Sequence, residues 1–398
     1  MNDSSRAWEI VKQLNSEINA LGSNAARKLL AEGLKLSAER PSKLHSALLG
    51  SAVKVAEHCP DFRFIAFLSM WHLGNLRPED HERTKSQDGK SFPSLADRVC
   101  KAFAHDRLLH PEDALPEDQF AILQPMLDES GLIPMQHMVV TRIKEASNQQ
   151  GRKFRFVMLV SPSGRQVECV ANQLQPNPLC PLPESKRHYV NIGQLYDCIL
   201  KTKSPAPEGS PEGQSTSSST LSLKQAYLSS KKAEDCFPTA VGYVEHIDTE
   251  HGHIHVYDAQ SRHFVAPVLR FSKEQEGDLV RFVPVTPSDS MFKTAVCLTR
   301  ATIDEAYAEG LIREIKITSV NESKRFASWE LADASRPLTE QLSPYQIAQG
   351  LDSPSFTTGY LNLTDELSLA SSLTLKAIVY LKRGKDKQKR PHVAKIIK

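Results

Sequence analysis

Residues 240–300 read AVGYVEHIDTEHGHIHVYDAQSRHFVAPVLRFSKEQEGDLVRFVPVTPSDSMFKTAVCLTR and contain five segments with the composition of β-strands. The second segment alternates between apolar and polar residues, as a half-buried strand does. Polar turns that contain Gly252 and Gly277 separate some of the segments. The segments are Val241–Val244, His253–Tyr257, Arg262–Val265, Leu279–Val285 and Thr294–Leu298. Five short strands in this order predict a small β-barrel.

The strand layout of this stretch is the one that OB barrels use. The segments that carry a more specific resemblance are Gly242–Val244, the turn at Gly252, His253–Val256, His263–Val265 and Gly277–Phe282. Together they resemble a cold-shock domain. In that family, the bases of a single strand stack on exposed aromatic side chains of the second and third strands. The resemblance therefore implies a surface for single-stranded nucleic acid on this barrel.

Six side chains are candidates for this binding surface. Histidines occupy positions of the second strand where the family usually has phenylalanine, and histidine can also stack on a base. The candidates are Tyr243, His253, His255, Tyr257, His263 and Phe264. Alternatively, the barrel serves a protein contact, because a fold does not by itself fix a function.

The whole chain is predicted to be an α+β multidomain protein, with an N-terminal α-helical bundle followed by tandem small β-barrels of the OB or cold-shock type. Its 398 residues are long enough for several separate cores. The predicted parts are a helical domain at 1–135, a first barrel at 136–203, a flexible linker at 204–235, the cold-shock-like barrel at 236–300 and a third barrel at 301–398. A fifth strand of the first barrel is expected within 221–228.

Apolar residues recur every three to four positions through the first part of the chain, which predicts helices. Trp8, Val11 and Leu14 begin this pattern, and the apolar segment Phe62–Leu73 is expected to form a buried central helix. The segment Asp61–Leu109 resembles helical domains that precede cold-shock-like modules in bacterial proteins. That resemblance supports the architecture only, and a protein partner docked on the helical domain belongs to the alternative function given below.

Two further stretches change to the two-residue period that is typical of strands. The first contains Val139–Ile143, Phe154–Val160, Gln166–Ala171 and Gln194–Leu200. The second contains Ile312–Val320, Arg325–Leu331, Tyr360–Leu363, Leu373–Leu381 and Val393–Ile397. Residues 277–298 and 373–397 share one plan, an alternating strand, a polar loop and a short strand, which we interpret as an internal repeat.

A strongly basic loop lies at 382–390, where an OB barrel has the loop between its fourth and fifth strands. Phosphate contacts by such a loop release counterions and make affinity steeply dependent on salt. Its cations are Lys382, Arg383, Lys385, Lys387, Lys389 and Arg390. Alternatively, the loop is a solvated tip that keeps the hairpin soluble.

Cations and aromatic residues also alternate on two other predicted strands. Strand geometry places Phe154 and Phe156 on one face and the cations between them on the other. This arrangement favours a buried aromatic face over a base-stacking one. The two-residue step from Trp329 to Leu331 likewise indicates an inward-facing pair.

Composition argues against several other classes of protein. The hydrophobic content of 40%, the charged content of 24% and the net charge of +2 give no global electrostatic bias, so a nucleic-acid surface must come from local clusters. Seven cysteines without a C-x-x-C pair are typical of reduced thiols. Without a signal segment or an apolar run long enough to span a bilayer, the chain is expected to be cytoplasmic and not bound to a membrane.

Enzymatic chemistry is not expected either. The sequence has no phosphate-binding glycine motif and no nucleophile or zinc-protease motif. The histidines of residues 246–263 have no recurring carboxylate or cysteine at the spacing of a metal site. The sequence therefore predicts no enzyme, no metal site and no cofactor.

These observations favour a non-catalytic protein that binds single-stranded RNA or DNA through tandem barrels, with RNA favoured over DNA. The alternative is an interaction or scaffold subunit of a larger bacterial complex, whose helical domain docks a protein partner.

The segment 204–220 generates one prediction from sequence alone. It has almost no apolar residues, so burial cannot offset the entropy cost of ordering it. Limited proteolysis should cleave first within this segment and leave a stable fragment that begins near Leu221. Uniform resistance to several proteases in this segment would show that it is packed.

Overall fold

A computed structural model describes residues 3–36, 43–59, 62–64, 76–85, 91–110, 131–147, 151, 153–179, 188–202, 221–270, 272–287, 293–340, 342, 347–348, 350–363, 372–384 and 388–397. These residues form two compact units. The first unit comprises 1–159 and 167–230, and the second comprises 160–166 and 231–398. The architecture is mixed α+β, with N-terminal helices and several β-sheets.

The described residues at the start of the first unit include the helices α1 (Asp3–Leu36), α2 (Lys43–His58) and α3 (Leu95–Leu109). Gly22 interrupts α1 with a φ of 69°, a conformation that glycine adopts without strain. Val11, Leu14, Leu48 and Phe103 are buried in a common core, as the helical periodicity predicts, whereas Trp8 at the start of the predicted pattern is 45% exposed. Most of the predicted central helix at 62–73 lies outside the described residues. No described helix is long and apolar enough to cross a membrane.

The start of α3 shows how the local sequence ends a loop and begins a helix. The Ser94 hydroxyl accepts a hydrogen bond from the Asp97 amide at 3.0 Å, and the Asp97 carboxylate accepts one from the Ser94 amide at 3.3 Å. This reciprocal cap satisfies two amides that the helix itself leaves without partners. A short 3₁₀ turn at Pro78–His81 and the small pair β1 (Thr84–Lys85) and β2 (Ser91–Phe92) precede it.

The first unit continues into a six-stranded sheet. Its strands are β3 (Leu132–Ser147), β4 (Lys153–Val160), β5 (Gln166–Val170), β6 (Leu174–Gln175), β7 (Leu195–Thr202) and β8 (Leu221–Leu228). The strand order is β5-β4-β3-β7-β8-β6, and β6 is parallel to β8. The fifth strand expected within 221–228 is therefore present, and the later part of the predicted linker is structured. The linker residues 204–220 lie outside the described residues.

The second unit begins with the short helix α4 (Ala233–Cys236) and a closed five-stranded barrel. The barrel strands are β9 (Ala240–Asp248), β10 (His253–Asp258), β11 (His263–Pro267), β12 (Leu279–Val285) and β13 (Thr294–Arg300). All neighbours are antiparallel except β11 and β13, which are parallel. This order is compatible with an OB-like barrel.

Close packing inside this barrel explains one glycine. Gly242 lies on β9, where a β-carbon would come within 2.5 Å of the Val256 side chain and 2.9 Å of the Phe282 ring. Both of these neighbours are buried in the barrel core. A larger residue at 242 would therefore force the core to shift.

The chain then passes through helix α5 (Ile303–Ala308) into a second sheet. Its five strands are β14 (Ile312–Asn321), β15 (Phe326–Leu331), β18 (Thr358–Asn362), β19 (Thr374–Arg383) and β20 (Lys389–Ile397), in the order β18-β15-β14-β19-β20. The pair β16 (Leu338–Thr339) and β17 (Ser355–Phe356) lies between β15 and β18 in the chain. Trp329 is 1% exposed and Leu331 is buried beside it, which confirms the inward-facing pair.

One strand order recurs in all three sheets. In each of these larger sheets we number the five main strands from 1 to 5 along the chain. Strand 3 then pairs with strand 2, strand 2 with strand 1, strand 1 with strand 4 and strand 4 with strand 5. The proposed repeat of 277–298 and 373–397 therefore occupies equivalent places, as the fourth and fifth strands. The first and third sheets were also expected to be barrels, but within the described ranges only the central sheet closes.

The barrel and the C-terminal sheet share an apolar core. Val241 and Tyr243 of β9 pack with Ile312 of β14 and with Ile378 and Tyr380 of β19. Each fully buried side chain of this kind contributes about 1.5–3 kcal/mol to stability. The β19 backbone is held as well, since the Leu381 amide donates a hydrogen bond to the Ser261 hydroxyl at 2.8 Å. The two sheets are thus parts of one folding unit.

This shared core predicts a large effect for Tyr380→Ala. The Tyr380 side chain is 0% exposed, so its removal should lower the unfolding free energy of the second unit by about 3–5 kcal/mol, as for other fully buried aromatic residues. Urea unfolding followed by tryptophan fluorescence measures this, with Trp329 reporting on the second unit.

Tyr360→Ala is the matched control, because Tyr360 is 69% exposed. It should change stability by no more than about 1 kcal/mol, the contribution of its cross-strand neighbour. Equal losses of stability in the two variants would show that the sheets do not depend on the buried tyrosine.

Candidate nucleic-acid interface

The strands of the barrel separate the predicted binding residues into two groups. On β10, Ile254 and Val256 point into the core, so His253, His255 and Tyr257 lie on the outer face. Phe264 of β11 is 1% exposed and belongs to the core. Its ring is therefore not available to a base, and it leaves the set of candidates.

The outer face carries a series of ring contacts, which we call the aromatic ladder. Its rings are, in order, His246, His255, His263, Tyr257 and Tyr380. Successive ring centroids lie 6.0, 5.1, 4.9 and 4.4 Å apart, with interplanar angles of 23°, 6°, 25° and 14°. Offset stacking over such distances is favourable for aromatic pairs.

The ladder changes what its residues can offer to a ligand. His255, His263 and Tyr257 each have two ring neighbours, so the rings that were expected to stack on bases stack on one another. Tyr243 is 9% exposed and lies 6.3 Å from the Tyr380 ring in the shared core. His253 is exposed beside His251. The accessible parts of the ladder are therefore the edges of its imidazoles and its His246 end.

A hydrogen bond joins two of these imidazoles. His255 Nδ1 and His263 Nε2 are 2.9 Å apart, so one of the two nitrogens carries the proton and the other accepts it. Desolvation lowers the pKa of both histidines. The nearby charges of His246 and His253 lower that of His255 further, and the charge of His255 lowers that of His263. The pair is thus stabilised in its neutral form.

Lys293 and Lys389 lie near His263, and Arg262 lies near Lys293; we call these three cations the cationic rim. Arg262 pairs with the buried carboxylate of Asp258 at 2.5 Å. Burial lowers the pKa of Lys293, and the nearby charge of Arg262 lowers it further. Burial and the charge of Lys293 lower the pKa of Lys389 in the same way. Mutual repulsion of this kind is relieved when an anion binds.

The basic hairpin loop is only partly available for phosphate contacts. Lys382 forms an ion pair with Glu245 of the barrel, and Lys389 forms one with Glu340. Arg383 and Arg390 are exposed at the ends of β19 and β20. Lys385 and Lys387 lie outside the described residues. The loop therefore also holds the two sheets together.

Three residues of this region were not identified from the sequence: Tyr380, Lys293 and Glu245. Tyr380 lies in the apolar run Ala377–Leu381, and such a run is typical of a strand buried on both faces. That pattern could have revealed Tyr380 as a contact to a second layer. Lys293 and Glu245 have no local signal, because their roles depend on strands that are distant in the chain.

The described side chains offer no clear metal centre. No group of three or more His, Cys, Asp or Glu residues within the described ranges is placed to hold a metal ion. His246 is engaged instead with the Glu276 carboxylate at 2.7 Å, and His251 with Asp248 at 2.7 Å. The contact with Glu276 holds His246 at the outer end of the ladder.

No model of a known protein family matches the chain, and a search of curated proteins finds no relative. Function is therefore inferred from the geometry of the ladder and its rim.

The lowered pKa of His255 and His263 predicts how stability depends on pH. Folding favours the neutral imidazoles, so their contribution is complete above the ordinary pKa of 6.5 and is lost as the pH falls from there through the folded pKa. The double variant His255→Asn/His263→Gln has neutral side chains that keep the hydrogen bond. It should therefore lose less stability than the wild type between about pH 7.5 and about pH 5.

Urea unfolding of the wild type and the double variant at both pH values measures this difference. The facing groups Glu245, Lys293, Lys389 and His392 are the same in both proteins and cancel in the comparison. Equal losses of stability in the two proteins would contradict the prediction.

Proposed function

We propose that the second unit binds single-stranded nucleic acid, with RNA favoured over DNA, along the aromatic ladder, the cationic rim and Arg390 of the basic hairpin loop. The observation that carries the proposal is the line of imidazoles from His246 through the half-buried His255 to His263, bordered by cations that repel one another. Imidazole and ammonium groups both donate hydrogen bonds to phosphate oxygens. The barrel's strand order supports the proposal, since OB-like barrels bind oligonucleotides on their second and third strands.

In this proposal the phosphate backbone supplies most of the affinity. Tyr257 and Tyr243 are covered by Tyr380, so they support the histidines from below and do not contact bases. A base can extend the ladder at its exposed His246 end, where stacking is tolerant of sequence. The recurrence of one strand order in three sheets supports tandem OB-like modules, and further contacts on the other sheets would lengthen the bound strand. No step requires an enzyme, a metal or a cofactor.

The second candidate is a non-catalytic scaffold subunit. One observation favours it: the C-terminal sheet already covers the tyrosines of the barrel face, so the ladder serves at least in part as an internal contact. In that case, the histidines and lysines would be a solvated border of this contact. The N-terminal helical domain would then supply the surface for a protein partner.

Fluorescence anisotropy with labelled single-stranded RNA and DNA oligomers separates the two candidates. Wild-type protein should bind, and the logarithm of its affinity should fall linearly with the logarithm of salt concentration. The double variant Lys293→Gln/Arg390→Gln should bind more weakly. Its slope should be shallower by about 0.7 for each phosphate of a single strand that the variant no longer neutralises.

The matched control is Arg300→Gln/Lys324→Gln, which removes the same charge from exposed positions. Arg300 ends β13, whereas Lys293 immediately precedes it, so the two lie at opposite ends of a strand about 20 Å long. The control should keep the wild-type slope. Equal slopes for all three proteins, or no binding by the wild type, would favour the scaffold.

A further inference from the structure

A second cationic site lies away from the ladder, in the C-terminal sheet. A cavity of about 240 Å³ opens between α5, the start of β14 and the loop that follows β15. This volume is below the range of about 300–1,000 Å³ that drug-sized ligands occupy, which favours a small ion. The side chains that matter for its chemistry are Tyr307, Arg313, Glu314, Asp333 and Arg336.

The two carboxylates of the cavity are already engaged by neighbouring donors. Glu314 accepts a hydrogen bond from the Tyr307 hydroxyl at 3.3 Å. Asp333 accepts hydrogen bonds from the amide and the hydroxyl of Ser335, and these bonds lower its pKa. The hydrogen bonds of both acids thus come from groups other than the arginines, although the charges of Arg336 and Arg313 also lower the pKa of Asp333.

Within the described ranges, the two arginines lack such partners. Arg313 is half-buried and donates a hydrogen bond to the main-chain carbonyl of Arg336. Neither guanidinium forms an ion pair with a carboxylate among the described residues. Burial and the charge of Arg336 lower the pKa of Arg313, and together they outweigh the opposing charge of Asp333. Lys376 adds a further positive charge beside the cavity, over the Tyr307 ring at 4.8 Å.

We propose that this cavity binds a phosphate group in its dianionic form, either as free phosphate or as a terminal phosphomonoester. Two guanidiniums that form no ion pair within the described ranges match two negative charges, and their planar forks match the oxygens of a phosphate. Bound phosphate replaces the repulsion between the two arginines with charge-assisted hydrogen bonds. The inference stands independently of the proposed nucleic-acid function.

Isothermal titration calorimetry of the full chain with inorganic phosphate, in a low-salt chloride buffer, tests the site. Arg336→Ser should weaken phosphate binding by about tenfold or more, because it removes a charged hydrogen-bond donor from an exposed side chain without disturbing the core. The control Arg300→Ser removes the same charge from an exposed strand end of the same unit and should leave binding unchanged. Equal weakening in both variants, or no binding by the wild type, would overturn the proposal.

Oligonucleotides with and without a 5′-phosphate distinguish the two sources of the ligand. Tighter binding of the phosphorylated strand, abolished in Arg336→Ser, supports a terminal phosphomonoester. Equal binding of both strands, with inorganic phosphate still bound by the wild type, supports free phosphate. Arg313→Lys is the second variant: it keeps the charge in the half-buried position but removes the fork, so wild-type phosphate affinity in this variant counts against recognition by the guanidinium.

Discussion

The stack of Tyr380 on Tyr257 constrains the second unit more than any other contact. Its centroids are 4.4 Å apart, and the Tyr380 ring is fully buried, so β19 must lie against β10 in one register. Side chains alternate along β19, so the same register sends Ala377, Val379 and Leu381 into the core of the C-terminal sheet. One strand therefore belongs to two hydrophobic cores, and neither sheet can move without disturbing both.

This constraint also determines which part of the barrel face remains open. The C-terminal sheet covers the tyrosine end of the aromatic ladder. The ion pair between Glu245 and Lys382 also joins the barrel to this sheet. At the histidine end, His246 and His263 remain exposed and His255 is half-buried. Lys389 reaches this end from the C-terminal hairpin, while Arg262 and Lys293 come from the barrel. The candidate interface is thus built by two sheets, and its cations come from distant parts of the chain.

Local patterns in the sequence predicted most of the strands and part of the core, but Phe154, which was expected to face inward with Phe156, is 37% exposed. Alternation predicts that His253 and His255 lie outside and Ile254 inside, and it predicts that Trp329 faces inward. Such patterns do not encode which outward side chain finds a partner in another layer, because that depends on contacts between distant strands. Tyr257 was for this reason expected to be open, and Phe264 shows the same limit, since an aromatic residue fits a core as well as a base-stacking surface.

The choice of histidine at the open end has a physical consequence that phenylalanine would not have. A phenylalanine surface offers only ring faces, whereas these imidazoles use their faces on one another and leave nitrogen atoms at the surface. Desolvation and neighbouring positive charges disfavour protonation of His255 and His263. Their protonation is therefore coupled to the charge of a ligand that binds beside them. A polyanion would supply the missing counter-charge, so binding and proton uptake would reinforce each other. Under the proposed function, the ladder therefore acts as a surface whose charge responds to its ligand.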